Sequence, residues 1–141
     1  MINITGIDHV VLRIVEPERA VRFYTEVLGA RVEKVQEAIG LWQLRIGTAL
    51  IDLVPVDGKL GRAGGAPPGR EGRNVDHICF RVLPWDGEAI LAHLTRHGIE
   101  AEIASRYGAE GQGPSIYLAD PEGNALELKG PPWAPAGRRP D

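Results

Sequence analysis

Two histidines and two carboxylates recur at matching places along the chain. Residues 8–14 read Asp-His-Val-Val-Leu-Arg-Ile, and residues 76–82 read Asp-His-Ile-Cys-Phe-Arg-Val, the same strand pattern 68 residues later. Ala49-Leu50-Ile51-Asp52-Leu53 likewise matches Asn124-Ala125-Leu126-Glu127-Leu128, with a carboxylate at the same place in both. Successive side chains alternate across a strand, so His9 and Arg13 share a face, as do His77 and Arg81. If the halves pack with approximate two-fold symmetry, His9, Asp52, His77 and Glu127 project into one groove. Two imidazoles and two carboxylates suit one divalent ion such as zinc, nickel, cobalt, manganese or iron, with a position left for water or substrate. A single His or Asp on an apolar strand is more often a hydrogen-bonded core residue. Four such residues placed by one rule in both halves favour the metal.

Other candidates are read more plainly. An inward-facing guanidinium is costly unless a carboxylate or an anionic ligand receives it, so Arg13 and Arg81 are expected either to contact substrate or to form structural ion pairs. Cys79 lies two residues after His77 and on its face, and reads first as a small buried hydrophobe. As the single cysteine of the chain it excludes an internal disulfide and any cysteine-cluster metal site. His93 and His97, four apart near the end of a predicted helix, read as solvated residues favoured by the helix dipole. Trp42, Trp85 and Trp133 could line an apolar pocket, with core packing the first reading for Trp42 and Trp85.

The elements that must position these side chains follow the same repeat. A chain of 141 residues, 43% hydrophobic and 25% charged, matches one ordinary globular body. Its net charge of -3, with dispersed basic residues, argues against nucleic acid. No apolar run approaches the roughly 20 residues of a membrane span, and residues 1–8 lack the basic start of a signal peptide, so no membrane partner and a cytoplasmic location are expected. Amphipathic helices are predicted over Pro17–Leu28 and Asp86–His97, the second capped by Asp86, each ending at a glycine, Gly29 or Gly98. Strands are predicted over 30–35, 40–46 and 49–54, then over 99–104, 115–119 and 125–129. Hairpins turn at Gly47-Thr48 and at Asp120-Pro121-Glu122-Gly123. Each half is thus strand, helix, three strands: an α+β fold of two βαβββ modules, about 4–56 and 72–130, within a single domain over 1–130. The Gly, Pro and Arg-rich stretch 57–74 is a linker or lid, 105–114 is a similar interruption, and 131–141 is a flexible tail.

The motifs "DHVVLRI", "AVRFYTEVLGARV", "ALIDLV", "DHICFRV" and "SIYLADPEGNALELKG" resemble the vicinal oxygen chelate superfamily, the glyoxalase/bleomycin resistance/dioxygenase proteins, over about the first 130 residues. The resemblance implies two paired βαβββ modules forming curved mixed sheets around a metal-binding groove. It places the family's metal ligands on His9, Asp52, His77 and Glu127. The chain looks like glyoxalase I in having Arg13 four residues after the first ligand histidine. It departs from it in carrying Asp52 where that enzyme has Glu and Val56 where it has Asn. Implied, therefore, is a metal-dependent lyase or isomerase of glyoxalase I type acting on a small α-oxo compound or its thiol adduct. Glu127 would move the proton with Asp52 as the second carboxylate, and Arg13 and Arg81 would bind substrate. Ser115 and Tyr117 resemble residues of fosfomycin resistance transferases, which makes metal-dependent thiol transfer the alternative. An extradiol-type dioxygenase built on a 2-His-1-carboxylate triad and a non-catalytic drug-binding protein complete the set. The resemblance also implies a homodimer, since modules of about 60 residues bury little apolar surface alone.

Overall fold

The computed structural model describes residues 1–133. The chain divides into two compact units, Met1–Arg73 and the residues from Asn74 onward. In the first unit β1 (His9–Ile14) leads into α1 (Pro17–Arg22), followed by β2 (Arg31–Gln36), β3 (Leu41–Ile46) and β4 (Ala49–Pro55). In the second, β5 (His77–Arg81) leads into α2 (Gly87–Arg96), then β6 (Ile103–Gly108), β7 (Gly111–Ala119) and β8 (Ala125–Lys129). Each unit forms a four-stranded mixed sheet, ordered β1-β4-β3-β2 in one and β5-β8-β7-β6 in the other. The first and last strands of each run parallel and the remaining pairs antiparallel. These are the two expected βαβββ modules, and their registers agree residue by residue. Val11 pairs with Asp52 as Cys79 pairs with Glu127, and His9 pairs with Leu50 as His77 pairs with Ala125.

Alternation sets what each sheet buries. Leu44, Ile51, Leu53 and Ile14 are buried in the first module with Ala20, Phe23 and Tyr24 of the helical segment, which packs against β4. Ile116, Leu118, Leu126 and Leu128 are buried in the second, as is Leu94 of α2. Each such aliphatic side chain contributes about 1.5–3 kcal/mol by leaving water. The residues between them, Asp52 and Glu127 among them, therefore face the other side of their sheets. The helix signals hold: the Asp86 carboxylate caps α2 by accepting from the Ala89 amide at 3.0 Å, and Gly29 and Gly98 adopt φ of 73° and 75°. The hairpins turn where expected, with Ile46 paired to Ala49 and the Gly123 amide donating to the Asp120 carbonyl at 3.0 Å.

Several expectations are revised or refined. The first helix is α-helical only to Arg22. It widens into a π-helical turn over Phe23–Val27, where the Thr25 hydroxyl takes the Val21 carbonyl at 2.8 Å and so competes with the helix ladder. The second strand of the second module lies at 103–108, not 99–104. Segment 105–114 is consequently no loop: β6 and β7 pair from Ile103–Ile116 down to Gly108–Gly111 as a tight hairpin. The linker carries a short 3-10 turn over Gly61–Gly64. Within the expected tail, Trp133 is tied down, its amide to the Gln112 carbonyl at 2.7 Å and its indole to Ser105 Oγ at 2.9 Å. Residues 134–141 lie outside the described residues.

Candidate metal centre

In the second module β5 and β8 are hydrogen-bonded neighbours, and this brings His77 to Glu127. His77 Nε2 lies 3.0 Å from Glu127 Oε2, while its Nδ1 lies 2.7 Å from Asp76 Oδ1. Glu127 is only 5% exposed. A carboxylate so buried demands a partner, and the imidazole is that partner. The bond from Asp76 raises the His77 pKa above its usual value, against the lowering effect of burial and with help from the Glu127 charge. Tyr117, opposite Glu127 in register, stands edge-on to His77 with ring centroids 5.8 Å apart, and the Arg106 guanidinium lies 5.7 Å from the Tyr117 ring centre. Cys79, expected as a small buried hydrophobe, is exposed; partial desolvation of its thiol nevertheless pushes it up to about 11, with the Glu127 charge adding to it and Lys129 and Arg81 opposing it.

The first module repeats the placement of the residues but not the direct contact between imidazole and carboxylate. His9 Nδ1 lies 2.7 Å from Asp8 Oδ1, a bond that raises the His9 pKa; burial lowers it and the Asp52 charge adds to the rise. Asp52 is 4% exposed and is reached by the Gln43 amide at 3.3 and 3.4 Å, with Gln36 donating in turn to Gln43 at 3.2 Å. Where the second module has Tyr117 opposite its carboxylate, the first has Gln43.

Each histidine thus offers one ring nitrogen after its other nitrogen has been fixed by a carboxylate, the arrangement that orients metal-ligating imidazoles. Among the described residues no three or more His, Cys, Asp or Glu side chains assemble; His77 and Glu127 meet directly in the second unit, whereas in the first Asp52 is held by Gln43 and His9 by Asp8. As chemistry, an oriented imidazole beside a buried carboxylate fits a borderline divalent ion.

Arg13 finds neither an anion nor a carboxylate. Its guanidinium donates to the carbonyls of Ala66 at 3.1 Å, of Gly61 at 3.0 Å and of Gly65, which pins the linker to the first module. Arg81 does form an ion pair, at 3.4 Å to Glu110, with both side chains about half exposed. A cleft of about 300 Å³ opens in the second module, lined by His77, Cys79, Arg81, Glu110, Glu127 and Lys129 among others. Ser115 is wholly buried and its hydroxyl has no partner among the described residues. His93 on α2 and His97 at its C-cap meet edge-on, 4.8 Å between ring centroids, away from these pairs in sequence. Two sets of functional residues escaped the sequence reading. Asp8 and Asp76 were marked by the repeated Asp-His dipeptide, and Gln43 falls opposite Asp52 once the register is counted back from the Gly47-Thr48 turn.

A family model described as the Glyoxalase/Bleomycin resistance protein/Dioxygenase superfamily matches residues 6–128. The chain belongs to this superfamily. Among solved structures it is similar to a virulence protein of Salmonella typhimurium, at 25% identity and TM-score 0.73, covering 92% of this chain and 99% of that one. It is also similar in fold to lactoylglutathione lyase of Agrobacterium tumefaciens, at 21% identity and TM-score 0.66, covering 91% and 94%. A third similar fold is the fosfomycin resistance protein FosX of Listeria monocytogenes, at 19% identity and TM-score 0.67, covering 90% and 92%. No curated protein matches the chain. No helix among the described residues is long and apolar enough to cross a membrane.

Proposed function

We propose that the superfamily chain is a metal-dependent lyase or isomerase of the glyoxalase I type, acting on a small α-oxo compound or its thiol adduct. The observation that supports this reading most is the recurrence of one His and one buried carboxylate at the same register in both modules, with each imidazole held at Nδ1 by the preceding Asp. In this reading His9, Asp52, His77 and Glu127 are the ligand set for one divalent ion once the modules are paired, within a chain or in a homodimer. When bound, the ion supplies polarisation of two adjacent substrate oxygens.

The proton belongs to the chain's own residues. Glu127 Oε2 lies 3.0 Å from His77 Nε2, which holds it at the cleft as a carboxylate able to take a proton from carbon beside a carbonyl and return it to the neighbouring carbon. Asp52, one methylene shorter and held by Gln43, stays where it is and serves as ligand. Tyr117 and Arg81 share the face of Glu127 and border the substrate. Arg13 acts on the linker.

The test is a screen of the metal-loaded protein against hemithioacetals, fosfomycin with a thiol, and catechols. Isomerisation of a hemithioacetal that disappears in Glu127→Gln while the metal stays bound supports the reading. Turnover of fosfomycin or of a catechol alone replaces it.

A further inference from the structure

One step along the strands from the Cys79–Glu127–Tyr117 row, the register of the second module aligns Arg81 on β5 with Lys129 on β8 and Lys129 with Ser115 on β7. Alternation puts this second row on the face that carries Glu127. Lys129 is half-buried with its Nζ at the covered end, and among the described residues neither that Nζ nor the wholly buried Ser115 hydroxyl has a hydrogen-bond partner. The lysine stem lies over two glycines: a Cβ on Gly108 would come within 3.0 Å of Lys129 Cε, and one on Gly113 within 3.0 Å of its Nζ. The side chain is thereby held at the cleft it lines instead of extending into water. An ammonium without a partner and turned from water is unfavourable until an anion answers it. The neighbouring carboxylates are engaged, Glu127 by His77 and Glu110 by Arg81.

The fold does not require this row. At the equivalent register the first module aligns Arg13 with Val54, and extending the β3–β4 pairing by one step places Leu41 where the second module has Ser115. The His–carboxylate pairs recur in both modules; the lysine occurs in one.

We propose that Lys129, beside Arg81 in the lining of the cleft, is a seat for a compact oxyanionic group, a carboxylate or phosphonate, carried by the molecule that enters the cleft. Lys129 then sets specificity for anionic over neutral substrates. This rests on the metal-dependent reading only for calling that molecule the substrate; the anion seat itself is a property of the second module.

Calorimetric titration of the metal-free protein with inorganic phosphate, methylphosphonate, acetate and uncharged acetamide, at constant ionic strength, tests it. The parent protein binds the anions and ignores acetamide, Lys129→Met loses at least tenfold in affinity, and Lys129→Arg retains binding. Lys129→Met also melts no lower than the parent, because it removes an unpaired charge, whereas a lysine with a merely structural role would melt lower. In the unmodified protein, phosphate shifts the amide resonances of residues 108–113 and 127–130, a readout that needs no variant. Undiminished binding by Lys129→Met, or shifts confined elsewhere, overturns the seat. A protein that takes up nickel or zinc but no phosphate also overturns it, and leaves the metal reading standing. One that binds phosphate at Lys129 but no metal keeps the seat and removes the metal reading.

Discussion

The contact between Arg13 and the linker can be taken apart with two substitutions. Three carbonyls, of Gly61, Gly65 and Ala66, accept from the two terminal nitrogens of one guanidinium. At about 1 kcal/mol net per bond, discounted for the partial exposure of two of them, the contact holds the linker by about 2 kcal/mol. That equals about 30-fold in the fraction of time the linker is released, at about 1.4 kcal/mol per tenfold. Gly64 is the close-approach point: a Cβ there would sit 2.4 Å from Arg13 Nε and 2.5 Å from its Cζ. Gly64 does not use a positive φ, so alanine is otherwise permitted and would by itself stabilise by about 0.4–1 kcal/mol. Arg13→Ala should therefore raise trypsin cleavage at Arg62, Arg70 and Arg73 by about 30-fold, and Gly64→Ala in the parent should raise it in the same direction by up to that amount, as the Arg13 end shifts to make room. Gly64→Ala added to Arg13→Ala should change nothing or slow the cleavage slightly. The cycle isolates the pair because each single change acts on the same contact. Equal effects of Gly64→Ala in both backgrounds would refute the assignment of Arg13 to the linker.

Two further outcomes follow from the titrating groups. With its thiol moved from 9.0 to about 11, Cys79 should carry about 100-fold less thiolate at pH 8 than an unperturbed cysteine and alkylate correspondingly slowly; Glu127→Gln should speed it, and alkylation at the rate of an unperturbed thiol would contradict the desolvation argument. The His77 pKa is raised by Asp76, so its charge-dependent contribution to stability is full below 6.5 and is lost as pH climbs through the raised value. Melting of the metal-free parent should therefore converge on that of Asp76→Asn above that window, and an advantage that instead grows with pH would reverse the sign.

How much of this was legible depended on whether the signal was local or repeated. The His–carboxylate pairs were legible because Asp52 and Glu127 recur in matching apolar strands, and one face of each strand is buried, which fixes the alternation. β6 was misplaced because it is an edge strand whose residues are mostly exposed. With no buried face to enforce a period of two, Glu100 and Glu102 alternating with Ile99 and Ile103 looked as strand-like as Arg106 and Tyr107. The π-helical turn at Phe23–Val27 coincides with the Thr25 hydroxyl bonding back to the Val21 carbonyl, a local contact that no hydrophobic period reveals. The role of Arg13 was invisible for another reason. Its partners are backbone carbonyls some fifty residues away, and a carbonyl carries no residue-type signature. Lys129 was passed over because a lysine at a strand end is ordinarily solvated, and only the register with Ser115 and the two glycines beneath it show otherwise.

The central claim, that the repeated pairs are one ligand set, is tested most directly by metal binding in calorimetry or competition with a chelating dye. The parent should bind one divalent ion per set of His9, Asp52, His77 and Glu127. His9→Ala and His77→Ala should each weaken binding by more than the roughly 10–100-fold expected for loss of an orienting residue such as Asp8 or Asp76. Metal affinity in both histidine variants equal to that of the parent would contradict the account.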